Sequence, residues 1–316
     1  MYKITIFTAT YNREKLLYRL YESLKIQTVK EFEWLIIDDD STDNTNYVVN
    51  KWISDKNDFS IRYIKQTHGG KHRALNRGFV EANGEYFFIV DSDDYLTNNA
   101  IELINGWINN IENSHEKLAG VSGLIAYENG IINGGIPLVN NEGWIDADCF
   151  TREKYNLEGD KAEVFKTELL RKYPFPEFDN EFFITDSVCW NAIHLDGYKI
   201  RWFNKVIYIA EYLEDGLTKS GMNEFYGSLR NYNGFCYFVR QSINIFGTIN
   251  QPRLIWNYFK IAKIKGVKIK NIKHDLQMNN IELIYNFICI PIGFIKSIIR
   301  VLKSEGFYGV LKRFNN

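Results

Sequence analysis

The stretch "YFFIVDSDDY" (86–95) drives an unbroken apolar run into three aspartates, Asp91, Asp93 and Asp94. An apolar run without polar alternation suits a strand buried on both faces. Carboxylates gathered where such a strand meets solvent repel one another unless a cation intervenes. A hard divalent ion, Mn²⁺ or Mg²⁺, is the natural partner, because it takes one or two carboxylates and completes its shell with water and phosphate oxygens. Solvated turn residues, or a cap for the helix expected from Asn98 onward, are the plainer reading of the same acids.

Further toward the N-terminus the pattern repeats. "KITIFTAT" (3–10) is a β-branched strand ending in a polar turn, and "EWLIIDDDS" (33–41) is an apolar strand ending in acids. Between and after them lie segments with helical spacing, led by Leu16, Leu17, Leu20 and Leu24. "IRYIKQ" (61–66) is a third strand, and "GGKHRALNRGFVEAN" (69–83) a loop and helix. Strand and helix alternate four times, which implies an α/β fold with a parallel sheet covered by helices. Ligands in such sheets collect beyond the carboxyl ends of the strands. Three of the four strands end there in polar or acidic residues: 8–12, 38–43 and 91–94.

Beyond Leu96 the chain reads as a helix (about 98–114), a Gly-rich mixed segment, a helix over "AEVFKTELLRKY" closing at Pro174, and a short helix in "DSVCWNAIHLDGY". "IRWFNKVIYIAEYLEDGLT" reads as strands and a turn, and the chain from about 224 reads as helical.

"TATYNR" (8–13), "LIIDDDSTDNT" (35–45), "GGKHRALNRG" (69–78) and "DSDD" (91–94) come in an order and spacing that resemble the nucleotide-sugar domain of family 2 glycosyltransferases, the GT-A fold. The resemblance spans roughly residues 1–220 and is densest over 3–97. It implies a Rossmann-like, mostly parallel sheet flanked by helices, with a catalytic domain over 1–222 and a helical, basic extension over 223–316. It implies that Thr8, Ala9 and Tyr11 line the nucleoside pocket and that Asp39 accepts a hydrogen bond from a uracil N–H. Lys71 would lie near the diphosphate, Asp91 and Ser92 at the ribose or sugar, and Asp93 on the metal. Asp94 could serve either acidic role, with Arg73 and Asn76 as supporting candidates. Asp40 stands where the family usually has glycine, and either tightens that turn less well or caps the next helix.

Glycines 69 and 70 let the backbone approach a phosphate closely; a plain flexible loop reads the same. His72 alone is read as structural. A haloacid-dehalogenase-type phosphatase would want Thr or Val where Tyr95 stands. A nucleotidyltransferase would want glycines after the first strand, which "TATYNREK" lacks. A non-catalytic sugar-nucleotide binder of the same fold stays open.

An inverting transfer needs a base for the acceptor hydroxyl. In the family an acid opens a helix on the acceptor side; Asp186 in "FFITDSVCWNAI" (182–193) matches it, with Trp190 one turn further on the same face. An N-cap is the structural alternative for Asp186. Thr218 and Lys219, after the turn at Asp215 and Gly216, are further phosphate candidates. The resemblance therefore implies a metal-dependent hexosyltransferase using a UDP-sugar and a cell-surface glycan acceptor, lipid-linked in many such enzymes.

The bulk properties fit. The 316 residues carry a net charge of −1, yet from Pro252 onward there are 12 Lys+Arg against 3 Asp+Glu, leaving 26 against 36 before it. The body is acidic and the tail basic. Four scattered cysteines without a CxxC motif imply reduced thiols. No uninterrupted apolar run reaches membrane-span length, and the apolar start is too short for a signal peptide. A cytoplasmic protein is expected. The basic segment 253–273, followed by the apolar "IELIYNFICIPIGFIKSIIRVLK" (281–303), is either a helical cap with a solvated basic face or an interfacial element on the inner membrane leaflet. Nothing beyond charge speaks for nucleic acid.

Overall fold

A computed structural model describes residues 2–211, 230–247 and 250–276. They fall into two compact units: residues 2–176 with 186–211, and residues 177–185 with 230–247 and 250–276. Asp215, Gly216, Thr218, Lys219 and the apolar stretch 281–303 lie outside the described residues.

The first unit follows the expected alternation: β1 (Ile4–Thr10), α1 (Leu17–Lys25), β2 (Phe32–Asp38), α2 (Thr45–Ser54), β3 (Ser60–Lys65), α3 (Lys71–Glu81) and β4 (Tyr86–Ile89). Then come β5 (Tyr95–Leu96), α4 (Ala100–Glu112), β6 (Leu118–Tyr127), β7 (Trp144–Ala147), a 3₁₀ turn (Arg152–Tyr155), β8 (Lys161–Lys166), α5 (Thr167–Lys172), α6 (Ser187–Leu195) and β9 (Lys199–Ala210). The nine strands form one sheet in the order β3-β2-β1-β4-β8-β6-β9-β5, with β7 on β9. Parallel pairing holds across β3, β2, β1 and β4 and between β6 and β9, while β8, β5 and β7 pair antiparallel. The sheet is thus mixed, and the parallel half is the one legible as strand–helix repeats.

One expected element differs. The helix read over "AEVFKTELLRKY" is a strand at its start, and only Thr167–Lys172 is helical. Local spacing favours a helix there, but β8 fills the slot between β4 and β6, so long-range pairing overrides propensity.

Alternation along β1 sends Ile4 and Ile6 into one layer and Thr5 and Phe7 into the other. The first layer buries α1, α2 and α4 against Trp34, Phe88 and Val121. In the second, Phe7 stacks on Phe87 at 5.0 Å and Phe79 meets Phe87 edge-on at 5.1 Å. Helix α3 lies so close to β1 that a Cβ on Gly78 would stand 2.3 Å from the Phe7 ring.

At the sheet's amino end Glu33 is wholly buried. Its carboxylate accepts from Thr5 Oγ1 (2.6 Å), the Asn83 N–H (2.6 Å) and Asn83 Nδ2 (2.9 Å), and faces Arg62 Nη1 (3.2 Å). A buried charge is tolerated only with such a full set of partners.

The second unit contains α7 (Tyr232–Phe246), α8 (Pro252–Ile264) and α9 (Ile269–Asp275) around Phe235, Val239, Tyr258 and Ile261. Glu181 caps the start of α7 by accepting from the N–H groups of Asn233 (2.7 Å) and Gly234 (2.8 Å). No helix among the described residues is long and apolar enough to cross a membrane.

Replacing Glu33 by Ala strands several buried donors at once. A urea titration is expected to show a loss of about 2–4 kcal/mol relative to the parent protein.

Candidate active site

The carboxyl ends of β1, β2 and β4 bring Tyr11, Asp39 and Asp91 to one edge of the sheet, and α3 starts beside them with Gly70 at φ 90°. Positive φ at this residue requires glycine, and it aims the first turn of α3 at the acidic turn. Lys71 Nζ meets Asp91 Oδ1 at 2.7 Å. Burial alone would lower the Lys71 pKa, but Asp91, Asp186 and Asp93 outweigh it and the ammonium is held firmly protonated.

The three acids of the turn 91–94 have three different surroundings. Asp91 is half-exposed and bound to Lys71. Asp93 has its pKa raised, first by burial and then by Asp91, with Arg13 and Lys71 opposing. Asp94 is buried, and both oxygens are engaged: Tyr208 Oη donates to one (2.6 Å), the Glu211 N–H to the other (2.8 Å). Burial, then Asp91, pushes Asp94 up to about 7. The Tyr208 hydroxyl also accepts from the Asp91 N–H at 3.1 Å, so it fixes the turn from beneath. Asp94 is therefore a bracing residue rather than a free ligand. Ser92 is buried in the same turn.

Asp186 sits at the N-cap position of α6, yet its side chain makes no capping hydrogen bond. Burial raises its pKa most; Asp91 and Asp160 add to this, and Lys71 opposes it. The chain therefore gathers Lys71, Asp91, Asp93 and Asp186 into one electrostatic group, contributed by α3, the turn after β4, and the start of α6.

Other expected residues have different roles. Thr8 is fully buried; its hydroxyl donates to the Val90 carbonyl (2.9 Å) and accepts from Trp34 Nε1 (3.0 Å), so its side chain ties the sheet together instead of lining a pocket. Ala9 is half-buried at the end of β1. Tyr11 is exposed and stacks on His68 with centroids 4.7 Å apart. The Asp39 carboxylate is not free for a nucleobase: it accepts from the N–H groups of Gly69 (2.9 Å) and Gly70 (2.7 Å) and from Gln66 Nε2 (2.8 Å), and lies 2.9 Å from His68 Nδ1. It holds the glycine turn that delivers Lys71. Arg73 donates to the Gly69 carbonyl at 2.8 Å. Asn76 locks the Phe175 backbone, accepting from its N–H (2.8 Å) and donating to its carbonyl (2.9 Å). Trp190 stacks on Phe165 at 4.4 Å, which makes it a packing residue between α6 and β8.

Asp40 does not cap α2. It adopts φ 74° and pairs with Lys65 at 3.2 Å, while Asp43 accepts from the Thr45 N–H at that helix start. Sequence reasoning gave no roles to Arg13, His68, Asp160 or Tyr208. Arg13 closes the motif "TATYNR" and His68 precedes the glycine pair; Tyr208 lies 117 residues from Asp91 and carries no local signal.

The family model for glycosyl transferase family 2 matches residues 5–116. Residues 5–116 are therefore a region of the glycosyl transferase family 2 type. Similar proteins extend the match. The chain is 25% identical over 280 residues to a GalNAc(5)-diNAcBac-PP-undecaprenol beta-1,3-glucosyltransferase of Campylobacter jejuni, covering 86% of this chain and 85% of that one. It is 34% identical over 104 residues to the poly(ribitol-phosphate) beta-N-acetylglucosaminyltransferase TarS of Staphylococcus aureus, covering 32% of this chain and 18% of that one. Among solved structures, residues 1–349 of TarS with UDP-GlcNAc superpose with a TM-score of 0.59 at 23% identity, over 87% of this chain and 78% of that one. A mannosyltransferase from Pyrobaculum calidifontis with GDP-Man and Mn²⁺ superposes with a TM-score of 0.53 at 15% identity, over 96% and 88%. The shared architecture is the GT-A fold.

Asp40 adopts a left-handed conformation that glycine reaches without strain. Asp40→Gly is expected to raise stability by about 0.5–1 kcal/mol, read from the urea midpoint. The exposed Lys65 pair offsets little of this.

Proposed function

We propose that this protein moves a sugar from a UDP-sugar to a hydroxyl of a lipid-linked glycan, with inversion and with a divalent cation bound. The observation that carries this reading is the convergence of Lys71, Asp91, Asp93 and Asp186, with Asp186 left out of the helix cap it could have made. The UDP-GlcNAc complex of TarS supports the donor class, and the undecaprenol-linked substrate named for the Campylobacter relative supports the acceptor class.

The donor set fits a metal that shares its shell with phosphate. Among the described residues no three or more His, Cys, Asp and Glu side chains form a metal cage. Asp93 and Asp91 together supply the two carboxylates that Mn²⁺ or Mg²⁺ takes beside a diphosphate. Such an ion would neutralise the charge of the leaving diphosphate.

The chain's own groups divide the remaining work. Lys71 lies beside the diphosphate and, released from Asp91, balances its charge. Tyr11 on His68 offers a flat surface for the base, and Asp39 keeps the turn before Lys71 in shape. Asp186 accepts the acceptor hydroxyl's proton while that oxygen bonds to the anomeric carbon. The bond from that carbon to the diphosphate oxygen breaks on the opposite face, and the nucleoside diphosphate departs with its bonding electrons. No covalent sugar–protein bond forms, so one displacement inverts the centre.

A base works only when ionised. Because the Asp186 pKa is raised, the acid limb of the rate profile is expected above the ordinary aspartate value of about 3.9. Activity should rise with pH through that limb. Asp186→Asn should lose about 10²–10⁴-fold in transfer rate and abolish the limb, while UDP-dependent thermal stabilisation persists. Unchanged transfer would remove Asp186 from the base role. A screen of UDP-, GDP- and dTDP-sugars with and without Mn²⁺ should show stabilisation by a UDP-sugar that requires the metal; stabilisation by GDP-sugars alone would overturn the donor.

A further inference from the structure

Helix α8 (252–264) sorts its residues onto two faces. Leu254, Ile255, Tyr258, Ile261 and Ala262 are buried in the second unit. Arg253, Trp256, Lys260, Lys263 and Ile264 are exposed, at spacings of three, four, three and one. On that outer face Trp256 is 49% exposed and Ile264 67%. Exposed apolar side chains also occur singly elsewhere on this protein, such as Tyr47 and Val80, but here two of them share one helix face with three cations.

The charge of this region is one-sided. Residues 252–276 contain seven Lys and Arg against a single acid, Asp275. That acid accepts hydrogen bonds from Tyr232 Oη (2.8 Å) and Tyr258 Oη (3.3 Å), so it is tied to the unit's interior. Helix α8 itself carries no acid at all. A tryptophan and an isoleucine projecting between lysines is the pattern of a helix lying in the plane of a lipid interface, apolar side chains in the acyl boundary and cations at anionic headgroups. Nucleic acid would satisfy the lysines but gives Ile264 nothing to bury against.

We propose that the outer face of α8 docks the protein on an anionic lipid surface, with Trp256 and Ile264 inserted and Arg253, Lys260 and Lys263 at the headgroups. This surface is independent of the donor reading, and it needs no membrane-spanning segment.

The test is co-sedimentation of the full chain with phosphatidylcholine vesicles, with and without phosphatidylglycerol. The protein is expected to bind the anionic vesicles and to leave the neutral ones. Lys260→Gln with Lys263→Gln should weaken binding roughly 30-fold, the factor that two lysines near a charged surface supply. Trp256→Ser with Ile264→Ser should weaken it too while the circular dichroism spectrum stays that of the parent. Both pairs lie outside the candidate active site, so UDP-sugar hydrolysis in detergent-free buffer serves as a separate readout of the donor site. Equal binding to neutral vesicles, affinity unchanged by both substituted pairs, or binding to single-stranded oligonucleotide in place of vesicles would overturn the proposal.

Discussion

One ammonium group among several carboxylates organises the active end of the sheet. Lys71 bonds Asp91 directly and is raised electrostatically by Asp186 and Asp93 as well. Asp186 comes from a segment far in sequence from Asp91 and Asp93, and like charges gathered this way disfavour one another's ionisation unless a cation stands among them. Lys71 can serve them because its backbone is not free to move. Asp39 grips the Gly69 and Gly70 amides, Gly70 takes a conformation closed to other residues, and Gly78 lets α3 lie flat on β1. The chain of constraint thus runs from a packing requirement in the core to the position of one charge at the rim.

This makes the proposed chemistry a matter of exchanging partners. In the described state Asp91 and Lys71 neutralise each other, and Asp93 is left short of positive charge. A nucleotide diphosphate arriving with a divalent cation brings both signs. On the proposed reading such a cation would relieve the acids, and the phosphate would take over the ammonium. Neither partner alone restores the balance, which is the physical reason for expecting donor and metal to bind together.

Much of this was legible in the sequence, and the limits have physical causes. Strand ends rich in acids, alternating with helical segments, announced the parallel half of the sheet and the edge where Asp91, Asp93 and Lys71 meet. The antiparallel half was harder. Residues 161–166 have helix-compatible spacing, and only the vacancy between β4 and β6 makes them a strand. Side-chain direction was harder still. Thr8 and Tyr11 are three residues apart in one motif, yet Thr8 is spent inside the sheet and Tyr11 stands outside it. Asp39 reads as a base contact until the amides of the glycine turn are seen to occupy it. Asn76 and Trp190 carry the right chemistry but point into packing contacts with Phe175 and Phe165.

The run of acids after β4 resolves into a division of labour imposed by a β-turn. The Asp94 N–H closes the turn on the Asp91 carbonyl at 3.2 Å, so successive side chains leave it in different directions. Asp94 turns inward, where a buried carboxylate survives only because Tyr208 and the Glu211 amide satisfy it. Asp91 and Asp93 are left for solvent and ligand. The inward acid is what lets the outward two stay close together, since Tyr208 links the Asp94 carboxylate to the Asp91 amide through a single oxygen. A turn carrying only the two outward acids would present the same charges without that anchor, and their repulsion would act on a loose backbone. Three aspartates in four positions are therefore two outward charges and the anchor that holds them.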